Sequence, residues 1–184
     1  MEENIIKEKS KIYFIFLSNM TDNSAKNLNE IDYSKKFTIF TDGSALGNRK
    51  DAPAGFALYF PTTKMLISKG LVGTNNQAEL EAMRYCLWYY IQKYIELDIP
   101  DNTLYIFSDS EYVINAVTGK HNGKANKAKI EVCKKLIKQI KEKREVEFIH
   151  VFAHTKGKDF VSINNEIVDV AARKEAMKMK NKDK

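Results

Sequence analysis

Three strand-like runs follow one another between Phe37 and Val72, and they constrain the fold more than any other stretch of the chain. F-T-I-F-T-D (37–42) alternates apolar and polar residues and reads as a strand ending at Asp42, with a loop from Gly43 to Pro53 after it. G-F-A-L-Y-F (55–60) reads as a second strand, Pro61-Thr62-Thr63 as a turn, and M-L-I-S-K-G-L-V (65–72) as a third. Connections this short suit antiparallel neighbours, because parallel neighbours need a long crossover.

After the third run the periodicity changes. Thr74 and Gln77 are spaced as a capping box, in which each side chain satisfies the other's backbone N–H, and they open a helix carrying apolar and aromatic residues to about Leu97. The all-apolar L-Y-I-F (104–107) has the texture of a buried central strand. A short helix over Glu111–Val117 follows, then the loop T-G-K-H-N-G-K, and a Lys-rich helix over 125–143 with Ile130, Cys133, Leu136, Ile137 and Ile140 at helical spacing. Val146–Phe152 reads as a fifth strand, and Ile163 to about Lys180 as a last helix. The order βββαβααβα predicts an α/β fold: a five-stranded mixed sheet, its first three strands antiparallel, flanked by helices.

The 184 residues suit one domain with an added segment, divided here as an extension over 1–36, a folded domain over 37–180 and a basic tail over 181–184. The extension balances six Lys against six acids, offers one strand-like run at Lys11–Leu17, and carries no functional signal. No apolar run reaches the roughly 20 residues that span a membrane. The acidic start and short apolar run argue against a signal peptide, and the lack of Arg before residue 37 against a transit peptide, so a cytoplasmic, intracellular location without membrane attachment is expected. Cys86 and Cys133 show no metal-ligand spacing and read as buried thiols, and Trp88 reads as core. A net charge of +6 favours an anionic partner.

Four acids stand in apolar settings: Asp42 and Asp109 at strand ends, Glu79 early in the long helix, and Asp169 inside the run I-V-D-V-A-A (167–172). Taken singly, each is better read as a cap or turn residue. Together they indicate a site, because clustered carboxylates repel one another unless a cation neutralises them. All-oxygen donors favour hard cations such as Mg²⁺ or Mn²⁺. A hard-metal site on a basic protein points to phosphoryl transfer.

T-D-G-S (41–44), L-G-N (46–48), T-N-N-Q-A-E-L (74–80), S-D-S-E-Y-V (108–113), A-H-T (153–155) and N-E-I-V-D-V-A-A (165–172) together resemble type 1 ribonuclease H, over roughly three-quarters of the chain. The resemblance implies a ribonuclease H-like fold and an endonuclease that cuts the RNA strand of RNA–DNA hybrids with two Mg²⁺ ions (Mn²⁺ as a substitute), leaving 3′-hydroxyl and 5′-phosphate ends. It implies Asp42, Glu79, Asp109 and Asp169 as metal-binding carboxylates and His154 as an aid to proton transfer or product release. Gly43, Ser44, Asn48, Thr74, Asn75, Asn76 and Gln77 are implied in substrate binding, and Asn75 and Asn76 also read as helix-start residues. The ten Lys and Arg between Lys120 and Arg144 stand where some family members carry a basic protrusion, which makes Lys120, Lys124 and Lys127 candidate phosphate contacts, although this segment lacks the protrusion's Trp residues. Glu111, beside Asp109, reads as solvent-facing. A monomer is expected. Two alternatives stay open: a catalytically inactive hybrid-binding module, and a DNA-directed nuclease or recombinase of the wider ribonuclease H-like superfamily.

Overall fold

The structure is a computed structural model, and it describes residues 31–97, 102–121, 125–152 and 157–182. The Lys11–Leu17 run lies outside the described residues. Five strands form one sheet: β1 (Thr38–Ala45), β2 (Pro53–Phe60), β3 (Met65–Val72), β4 (Thr103–Ser108) and β5 (Glu145–His150), in the order β3-β2-β1-β4-β5. β1–β2 and β2–β3 are antiparallel, whereas β1–β4 and β4–β5 are parallel. Four α-helices complete the described fold: α1 (Asn75–Lys93), α2 (Glu111–Thr118), α3 (Lys127–Lys141) and α4 (Phe160–Lys182).

The strands' period of two divides their side chains between two cores. On one face Ile39, Leu58, Leu104 and Ile106 pack with Leu80, Met83, Cys86 and Leu87 of α1, Val113 and Val117 of α2, and Ile130, Cys133 and Ile140 of α3. On the other, Phe40, Ala57, Tyr105 and Phe107 pack with Val168, Ala171 and Ala172 of α4. Each fully buried Leu, Ile or Phe of this kind stabilises the fold by about 1.5–3 kcal/mol relative to exposure. The short turn Tyr33–Lys35 closes the second core, with Tyr33 edge-on to Tyr105 and Phe107 at centroid distances of 5.4 and 5.1 Å.

Several expected boundaries move. β1 does not stop at Asp42: Gly43, Ser44 and Ala45 pair with Phe56, Gly55 and Ala54 of β2. What ends at Thr41 is the pairing with β4, through Thr41–Ser108, so Asp42 lies in mid-strand at the point where β1 loses one neighbour. α4 starts three residues early because Asp159 caps it, its Oδ1 accepting from the Ser162 N–H at 3.0 Å. Trp88 is not core. It is 40% exposed on the outer side of α1 and packs on Tyr85. Cys86 and Cys133 are buried free thiols, and Glu111 is exposed. Among the described residues no helix is long and apolar enough to cross a membrane.

Candidate active site

Asp42 and Asp109 each lie one residue beyond the last β1–β4 pair, Thr41–Ser108, and so stand side by side where the two strands part. Two glycines bring the other acids to them. The helix α1 passes directly over Gly43: a Cβ there would sit 2.2 Å from the Glu79 nitrogen and 2.3 Å from the Ala78 carbonyl carbon. Gly55, opposite Ser44 on β2, faces the other helix layer, where a Cβ would meet the Ala172 oxygen at 2.5 Å and the Ala176 nitrogen at 2.7 Å. Hydrogen in place of a side chain at these two points lets α1 and α4 press onto opposite faces of the sheet. Glu79 and Asp169 thereby reach Asp42 from opposite sides.

Electrostatics records the crowding. Asp42 is only 6% exposed, and burial first, then the charges of Asp109, Glu79 and Asp169, push its carboxyl well above the usual carboxylate range. Burial and the neighbouring Asp169 raise Asp109, while hydrogen bonds from Asn165 and Asp42 pull it partly back. Asp42 lies within hydrogen-bonding reach of Asp109, so the proton affinities of these two carboxyl groups are linked. Glu79 is raised to about 7, chiefly by burial, against opposing hydrogen bonds from Ser110 and Asn75. Asp169 is half-buried among residues of mixed exposure, since Val168 and Ala171 are buried but Val170 is 58% exposed. The apolar run around it is therefore a helix edge, with one side on the sheet and one in water.

Neighbouring groups hold these carboxylates in place. The Asn75 amide donates to Glu79 Oε1 at 2.6 Å, and its Oδ1 accepts from the Ala45 N–H at 3.1 Å, tying the end of β1 to α1. Ser110 caps α2 by accepting from the Val113 N–H at 3.4 Å and also bonds Glu79. His150 Nε2 lies 3.1 Å from the backbone oxygen of Asp109. Ser110, His150 and Asn165 are absent from the sequence-derived site. Two of them leave a signal: Ser110 immediately precedes a helix, and Asn165 lies four residues before Asp169, on the same helical face.

The other expected site residues are placed as follows. Thr74 and Gln77 form the capping box, Thr74 Oγ1 accepting from the Gln77 N–H at 3.3 Å and Gln77 Oε1 accepting from the Thr74 N–H at 3.0 Å. Gly43 is buried, Ser44 half-buried, and Asn48, Asn75 and Asn76 are exposed near the same strand and helix ends. Lys120 and Lys127 are exposed. Farther along the basic segment, Lys129 instead bridges α3 to α1 through Glu81 at 2.9 Å, and Lys143 pairs with Glu96. His154 and Lys124 lie outside the described residues.

The donor set fits a hard divalent cation. It is all oxygen, and its carboxyls are raised first by burial and then by one another's charge, both of which the positive charge of a cation would offset. Among the described residues no three acids, His or Cys already form a closed ligand cage, so the four acids stand as electrostatic neighbours.

Comparisons with known proteins bear on the family and the fold. A family model for RNase H matches residues 34–177. A ribonuclease H from Haemophilus influenzae (strain 86-028NP) is 34% identical over 102 residues, which are 52% of this chain and 61% of that relative's length. The crystal structure of LC11-RNase H1 in complex with an RNA/DNA hybrid is 25% identical, with a TM-score of 0.57, over 78% of this chain and 98% of that one. RNase H1 from the halophilic archaeon Halobacterium salinarum NRC-1 is 20% identical and shares the fold, with a TM-score of 0.54 over 77% of this chain and 98% of its own. The sheet order, the convergence of the four acids and a family match spanning both lead to one conclusion: the chain belongs to the RNase H family.

Proposed function

We propose that this chain is an endonuclease that hydrolyses the RNA strand of RNA–DNA hybrids and leaves 3′-hydroxyl and 5′-phosphate ends. The observation that carries the reading is the convergence of Asp42 on β1, Asp109 just past β4, and Glu79 and Asp169 on two opposed helices, close enough that the charges of the other three add to burial in raising the Asp42 carboxyl. Family membership and a relative solved on an RNA/DNA hybrid support the same substrate.

The four carboxylates hold the divalent cations, two Mg²⁺ ions with Mn²⁺ as a substitute. Bound there, such ions supply activation of the attacking water and stabilisation of the leaving oxygen. The chain's own groups do the rest. Asn75 and Ser110 fix the Glu79 carboxylate, and the positive charge of a bound cation would offset the crowding of Asp42 and Asp109. Exposed Asn48 and Asn76, with Ser44, Asn75 and the Gly43 backbone, line the approach as hybrid contacts. Thr74 and Gln77 act by holding the start of α1 in place. Lys120, Lys124 and Lys127 add phosphate contacts, and His154 assists proton transfer or product release.

Incubation of an end-labelled hybrid with the protein, with and without Mg²⁺, tests the proposal. Cleavage of the RNA strand only with Mg²⁺, lost in Asp109→Asn at unchanged fold, is the expected result. Full activity in Asp109→Asn sinks it. Tight hybrid binding in EDTA with no cleavage on adding Mg²⁺ replaces it with an inactive binding module.

A further inference from the structure

Among the described residues, Asn165 is the one buried polar side chain of the acid cluster that is only half used. It is 5% exposed, it donates a side-chain hydrogen bond to Asp109, and its Oδ1 is buried with no partner among those residues. A carboxylate can only accept, so the bond to Asp109 identifies the donating atom as Nδ2 and leaves Oδ1 as the orphan. The adjacent Asn164 behaves differently: its Nδ2 donates to the Phe160 carbonyl at 2.6 Å, a local bond within α4. Buried acceptors are rarely left unpaired, and one kept beside four acids calls for a donor that arrives with something else. Donors already in the cluster are committed, since Asn75 and Ser110 serve Glu79.

We propose that Asn165 is a positioning residue for the divalent-cation site: Nδ2 aims the Asp109 carboxylate, and Oδ1 accepts a hydrogen bond from water carried in with the hydrated cation. The helix makes this geometry available, because Asn165 and Asp169 stand one turn apart on α4 and face the same strand ends. One residue thus connects Asp109, just past the end of β4, to the helix that carries Asp169. The inference rests on the proposed nuclease reading for its catalytic consequence, but not for its effect on cation binding.

The experiment has two separable parts. Mg²⁺ binding to the protein without hybrid is measured by calorimetry for the wild type, Asn165→Ala and Asn165→Ser, alongside thermal midpoints in EDTA. Hydrogen-bond partners of ligating groups typically change metal affinity or activity by roughly 10- to 100-fold. Asn165→Ala is expected to weaken Mg²⁺ binding within that range, with an unchanged or slightly raised midpoint in EDTA, since the orphaned oxygen is gone. Asn165→Ser, which keeps a small donor and acceptor, is expected to lie between the two and covers any failure of the Ala variant to fold. On the labelled hybrid, kcat falls and the half-saturating Mg²⁺ concentration rises, while KM for the hybrid stays put. A lowered midpoint with unchanged Mg²⁺ affinity overturns the proposal by making Asn165 purely structural. No cleavage by the wild type, with the Mg²⁺ effect intact, overturns the nuclease reading and leaves the role of Asn165 standing.

Discussion

Glu79 shows how one side chain carries the tension of this site. Burial raises its carboxyl from 4.5 to about 7, although Ser110 and Asn75 both donate to it. Folded, it therefore keeps a proton that the unfolded chain has already released, so its contribution to metal-free stability is fully present below pH 4.5 and is lost as pH rises through about 7. The loss attached to this group alone is about 3 kcal/mol, because each tenfold gain in proton affinity corresponds to about 1.4 kcal/mol. Glu79→Gln removes the charge at nearly constant shape and is expected to flatten that fall while abolishing Mg²⁺-dependent cleavage. Urea unfolding in EDTA at pH 5 and pH 8 checks it, and an equal pH dependence in variant and wild type contradicts the account. Asp169→Asn belongs to the same logic: it relieves repulsion on Asp42 and Asp109, and a lower metal-free stability in that variant counts against the repulsion described here.

At the scale of elements, the site depends on how closely two helices approach the sheet. Gly43→Ala forces a Cβ to 2.2 Å from the backbone of α1, where no flexible side chain can give way. Overpacking of this kind typically costs about 1–3 kcal/mol. Here it also moves Glu79 away from Asp42, so Mg²⁺ affinity is expected to fall further than in a variant of equal stability elsewhere. Gly55→Ala does the same to α4 and Asp169. Thr74→Ala tests a milder device. Losing the capping box is expected to cost about 1 kcal/mol in urea unfolding. Because Asn75, the next residue, holds Glu79, some loss of activity at full Mg²⁺ should accompany it.

For the molecule as a whole, a bound cation should reverse the sign of the cluster's contribution. At the proposed site, acids that crowd one another when bare gain a cation to neutralise them, and Mg²⁺ at 100 times its dissociation constant adds about 2.7 kcal/mol. In a chain of this size that is a rise of roughly 5–10 °C in thermal midpoint. It should be larger at pH 8 than at pH 5, where protons already do part of the cation's work. Calorimetric scans with Mg²⁺ and with EDTA at both pH values measure it, and a pH-independent increment contradicts the four-acid site.

Much of this was legible in the residues. Alternation in F-T-I-F-T-D and the apolar L-Y-I-F announce strands because a pleated backbone turns successive side chains to opposite faces. The Thr74–Gln77 spacing announces a helix start because the first-turn N–H groups need acceptors. The four acids stand out because charge in apolar company needs a reason. Other features depend on distances between segments far apart in the chain. β1 runs past Asp42 only because β2 lies opposite Gly43–Ala45, and Trp88 is exposed because its side of α1 faces away from the sheet. Gly43 and Gly55 look like ordinary strand glycines until the two helices come down on them. Asn165 looks like any helical asparagine until Asp109 takes its amide and leaves its oxygen bare. Residue order alone was enough to set the elements, their succession and the identity of the acids, because those follow from local periodicity and from the cost of isolated charge. Which groups hold the acids in place emerged only on folding, because hydrogen bonds and close approaches exist between segments and leave no pattern within one.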